Sequence, residues 1–259
     1  MQSLYGAIAN YKQKEIMAIS IDRVYQKVLA LANKEQRGYI TPQEFNLFAD
    51  HAQMDIFEQY FYDLEQRQRA PGNELDYSDM VTNLEEKISM FEINNQTVGV
   101  QTAGEVYLSS DLSDLYRLGV VQATYSGKPT KIAEQVQLNE ISKYENSPLG
   151  MWTESRPLYS KFSTSTAPVV IKIYPTPQSA SASYIRKPKK PNWTYLMSGS
   201  KNALYNPSAT DHQDFELHSS EENNLVLKIL QLAGISIKDF QLTGVAAQEE
   251  MKGIQQEKR

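Results

Sequence analysis

The spacing of apolar residues changes twice along the chain, and this limits the folds open to it. Up to about residue 91, apolar side chains recur at gaps of three and four, the repeat of one helix face. From about residue 92 they alternate, the repeat of a half-buried strand, and after residue 219 helical spacing returns. This order predicts an α+β protein: a helical bundle from the N- and C-terminal helices, with an inserted antiparallel β-rich lobe. The expected divisions are an N-terminal arm at 1–19, the first part of the bundle at 20–91, and a β-rich lobe at 92–211 with a long irregular loop at 188–211. Helices over 212–259 complete the bundle.

Local signals place the helices. Ser20 can cap a helix whose apolar positions are Ile21, Val24, Tyr25, Val28, Leu31 and Ala32, until Gly38 breaks the pattern. Thr41-Pro42-Gln43-Glu44 is a capping box with proline where no amide is needed. The helix it starts carries Phe45, Phe48, Ala52, Ile56, Phe57, Tyr60, Phe61 and Leu64, and ends before Pro71-Gly72. About 25 residues of helix span about 38 Å. A shorter helix is expected after Ser78, with Met80, Val81, Leu84 and Ile88 inward. Ser219 and Glu222 read as a second capping box, followed by Leu225, Val226, Ile229, Leu230 and Ala233, with Gly234 as the stop. A last helix is expected from Asp239 through Ala246, Ala247 and Met251.

Strands are expected near 96–108, 115–125, 131–136, 156–163, 168–174 and 181–187, with a hairpin turn at Ser126-Gly127-Lys128-Pro129 and a short helix at 137–145.

Composition narrows the function. The chain of 259 residues has no cysteine, which removes disulfides, thiolate catalysis, Fe–S clusters and Cys-type zinc sites. Its formal charge of -5 argues against a protein that coats nucleic acid. Sixteen tyrosines suit half-buried strands and also subunit interfaces. No stretch approaches the roughly 18 apolar residues of a membrane span. Residues 1–16 read as an extension or flexible arm, because Met17-Ala18-Ile19-Ser20 would also serve as a start.

The search for chemistry returns few candidates. His51 stands beside Asp50 and near Asp55, but no activated serine or cysteine signature accompanies it, and the group reads as a solvated helix face. In His212-Gln213-Asp214-Phe215-Glu216-Leu217-His218, strand alternation would put His212, Asp214, Glu216 and His218 on one face. Successive ligands would then lie about 6.5–7 Å apart, too far for one ion without help from other elements. The plainer reading turns Phe215 and Leu217 inward; the sharper one is a metal-dependent hydrolase. Gly127-Lys128-Pro129 lacks the pattern of a phosphate loop. No catalytic residue, cofactor or metal ligand is assigned. The one dense basic run is Tyr184-Ile185-Arg186-Lys187-Pro188-Lys189-Lys190-Pro191-Asn192-Trp193. Tyr184, Arg186, Lys187, Lys189, Lys190 and Trp193 are candidate contacts to a partner or to DNA, by base stacking and phosphate neutralisation. A solvated loop, or a patch for an acidic partner, is the plainer reading.

Several segments resemble structural proteins of tailed bacteriophages, particularly crAss-like phages and related marine phages. They are Ile21-Asp22-Arg23-Val24-Tyr25, Arg37-Gly38-Tyr39-Ile40-Thr41-Pro42-Gln43-Glu44-Phe45, Leu115-Tyr116-Arg117-Leu118, Tyr174-Pro175-Thr176, Tyr184-Ile185-Arg186-Lys187-Pro188, and the helix after His218-Ser219-Ser220-Glu221. The resemblance spans residues 20–259 and rests on structural rather than catalytic motifs. Within that group, a helical bundle carrying a β lobe is similar to the head-to-tail adaptor, or ring protein, of short-tailed phages. That likeness implies a homo-oligomeric ring, commonly of about twelve copies, docked beneath the portal protein in the virion. It also implies contacts with further tail proteins and DNA passing through the lumen without sequence specificity. No cofactor and no membrane partner are implied. Residues 1–20, 188–211 and 252–259 are the expected arms of such a subunit. A tail hub, capsid auxiliary protein or fibre anchor is the alternative virion role.

Overall fold

The computed structural model describes residues 19–34, 40–69, 75–164, 167–197, 203–236, 248 and 251–252. The chain is a mixed α+β protein with two compact units: residues 1–87 with 188–259, and residues 88–187. Among the described residues, no helix is long and apolar enough to cross a membrane.

The first unit is built on helices α1 (Ile21–Lys34), α2 (Pro42–Arg69), α3 (Leu75–Ser89, up to residue 87) and α6 (Glu222–Ser236). The capping box forms as expected: Thr41 N donates to Glu44 Oε2 at 3.0 Å, and Glu44 N donates to Thr41 Oγ1 at 3.3 Å. Those amide and hydroxyl donors hold the Glu44 carboxyl below its usual value, the Thr41 amide first. Ile21, Val24, Tyr25, Val28 and Ala32 of α1 are buried, whereas Leu31, expected on the same face, is exposed. Helix α3 starts at Leu75, ahead of the expected Ser78. α1 and α2 each pack on α6, whose Leu225, Val226, Ile229, Leu230 and Ala233 are buried.

Two expectations for α6 are corrected. The helix runs through Gly234 to Ser236, so Gly234 is not its stop. Glycine costs a helix interior only about 1 kcal/mol, which the buried apolar face outweighs. The cap is also different. His218 accepts from Ser220 N through Nδ1 at 3.3 Å, and Ser219 lies inside the 3-10 turn Ser219–Glu221 that leads into α6. Glu222 instead pairs with Lys27 at 2.7 Å and Arg23 at 3.4 Å on α1. The helix expected from Asp239, with Ala246 and Ala247, lies outside the described residues, as do residues 1–18 of the expected arm.

The second unit is a seven-stranded sheet. Its strands are β1 (Glu92–Val98), β2 (Glu105–Tyr107), β3 (Leu115–Thr124), β4 (Lys131–Gln135), β5 (Leu158–Phe162), β6 (Val170–Tyr174) and β7 (Ser179–Arg186). The short helices α4 (Leu108–Asp111) and α5 (Ile141–Glu145) lie between strands. The expected strand at 96–108 is two strands, broken by a turn in which Gly104 has φ +80. A Cβ at Gly104 would stand 2.6 Å from the Ile173 carbonyl, so only glycine fits. The sheet order is β1-β7-β3-β4-β5-β6-β2; only β4 and β5 run parallel.

The two edge strands, β1 and β2, are consecutive in the chain. Across a flat sheet, the six intervals between them would measure about 29 Å. The link from Val98 to Glu105 reaches at most about 25 Å when fully extended, and it folds back on itself, with Val100 bridging Val106. The sheet therefore curls. Val121, Ala123, Ala133, Tyr159, Ile171, Ile173, Ala180 and Ala182 share the core that the curl encloses. A smaller core of Val136, Ile141 and Leu158, with Tyr144, Trp152 and Tyr174, forms beside it.

The expected division at residue 211 is corrected. The compact units separate at Lys187/Pro188, so 188–211 belongs with the helices. That segment is no free arm: Pro188, Pro191, Trp193 and Thr194 are buried, and it forms the ribbon β8 (Tyr195–Met197) and β9 (Ala203–Tyr205). Backbone and side-chain bonds to α2 and to residues 211–216 hold it.

Candidate functional site: the clamp around residues 189–217

Long helix α2 places Asn46 and Gln53 seven residues apart, two turns along one face. Both polar side chains point at the backbone of two extended segments. Gln53 is fully buried. Its Nε2 donates to the Lys189 carbonyl at 2.8 Å, and its Oε1 accepts from Glu216 N at 3.0 Å. Asn46 does the same for Trp193: Oδ1 accepts from Trp193 N at 2.9 Å and Nδ2 donates to the Trp193 carbonyl at 3.2 Å. Between these points, Asn192 and Gln213 exchange backbone bonds at 2.9 and 3.3 Å, and Lys189 N donates to Glu216 Oε2 at 2.9 Å. Amides of Asn and Gln imitate a backbone partner because each offers one donor and one acceptor group.

Trp193 is the apolar centre of the clamp and is 2% exposed. Its ring centroid lies 4.3 Å from that of Tyr25, and 5.8 Å from those of Tyr195 and Tyr205. Its indole N–H donates to Asp22 Oδ1 at 3.0 Å. Burial, then the Asp214 and Asp22 carboxylates, push the Tyr205 hydroxyl above its usual value.

The four suspected ligands are each engaged in holding this chain. Asp214 Oδ1 accepts from Ile21 N at 2.8 Å, at the start of α1. Glu216 binds Lys189 N as above, and His218 caps the turn into α6. His212 Nε2 lies 3.4 Å from the Tyr205 hydroxyl and 3.7 Å from Asp214 Oδ2. Phe215 and Leu217 are buried between them, as alternation predicts, although isolated bridges replace a full strand. Among the described residues, no three His, Asp or Glu side chains converge on a point that could hold a metal ion. His51 lies on the exposed face of α2, 3.8 Å from Asp55.

The basic run is divided between the two units. Tyr184, Arg186 and Lys187 lie in the β unit; Lys189, Lys190 and Trp193 lie in the helical unit. Tyr184 is a core residue whose hydroxyl donates to Asp114 Oδ1 at 3.0 Å. Burial first, then Asp114, pushes that hydroxyl up to about 12. The Arg186 guanidinium lies 5.6 Å from the Phe91 ring centroid. Lys190 reaches Asp50 at 3.6 Å but stays 85% exposed. The expected stacking platform is therefore revised: the rings of Tyr184 and Trp193 are packed inside, while Lys189 and Lys190 face solvent.

Sequence reading passed over Asn46 and Gln53. The signal was there: two amides stand among Phe45, Ala49, Ala52 and Ile56, and a buried amide needs a partner. No protein-family model matches the chain, and no curated protein matches it.

Proposed function

We propose that the chain is a structural subunit of a virion that forms an oligomeric ring, a head-to-tail connector beneath the portal through which DNA passes. The reading rests on the segments that resemble tailed-phage structural proteins, and one observation carries it. His212, Asp214, Glu216 and His218, the side chains that sequence groups as possible ligands, are bound up in holding this chain's own segments together, while Leu196, Met197 and Leu204 stand more than half exposed. Single exposed apolar residues are ordinary, but a cluster on one ribbon marks a surface to be covered.

In this reading, α1, α2 and α6 form the bundle that stiffens each subunit, and the clamp gives a fixed surface for neighbours to grip. A net charge of -5 supports a conduit that does not retain DNA. The test is mass photometry of the purified chain over a concentration series, alone and with a portal protein from the same virion. The expected result is rings alone or on the portal. A chain that remains a monomer in both settings contradicts the reading.

A further inference from the structure

We draw no further inference here: the strongest candidate, the Ser220–His218 pair in the turn leading into α6, with the hydroxyl 2.8 Å from Nδ1 as a nucleophile would stand from its base, belongs to the cap already described, in which the same Nδ1 accepts from Ser220 N at 3.3 Å.

Discussion

The two units of this chain are held together in different ways. The β unit relies on ladders: backbone pairs with backbone from strand to strand, and side chains supply alternating burial. The helical unit brings together residues far apart in sequence, 147 positions for Asn46 with Trp193 and 193 for Ile21 with Asp214, by side chains that bind backbone. A ladder tolerates side-chain change as long as alternation is kept. A clamp made of particular amides and carboxylates does not, since losing one member leaves a buried backbone group unpaired.

That contrast orders the expected effects of substitution. Trp193→Ala should have the largest, about 3–5 kcal/mol, because it empties the centre of the aromatic cluster; chemical denaturation followed by far-UV circular dichroism measures it. Gln53→Ala comes next at about 1–3 kcal/mol, since it strands the Lys189 carbonyl and the Glu216 amide. Near-zero cost there would break the contrast between the units. Thr41→Ala removes one cap from α2 and should cost about 1 kcal/mol by the same measurement.

A pH effect follows from Glu222. Lys27 first, then Arg23, holds its carboxyl below the usual 4.5, so the folded state favours its charged form. Its contribution to stability is complete above the unfolded value and is lost as pH falls through the lower folded value. Urea midpoints should drop between pH 7 and pH 3, and Glu222→Gln should flatten part of that drop. The smallest effect belongs to the β unit. Ser160 is fully buried in β5, and its hydroxyl has no hydrogen-bond partner among the described residues. Ser160→Ala should be neutral or stabilise by up to about 1 kcal/mol. A cost like that of Gln53→Ala would mean that the β unit also depends on specific polar side chains.

The ladder was the more legible half. Alternation located β3, β4, β5 and β6 to within about two residues, and Gly127, with φ +70, sits in the expected hairpin turn. The Thr41–Glu44 cap was equally readable, because capping is local chemistry. Residues 188–211 were misread for the opposite reason. Their prolines and small polar residues describe a loop, and nothing local states that Asn46 and Gln53 bind its backbone. The basic run shows the same limit: Tyr184 and Trp193 bracket four cations in sequence, yet each ring is packed in a different unit.

We propose that the exposed face of the β8–β9 ribbon holds neighbouring subunits in a virion. The most direct measurement is the copy number of the chain in purified particles, by quantitative mass spectrometry against the portal protein. A connector predicts a fixed ring-like count of about twelve, close to that of the portal. Absence from the particle, or hundreds of copies matching the capsid lattice, would contradict it.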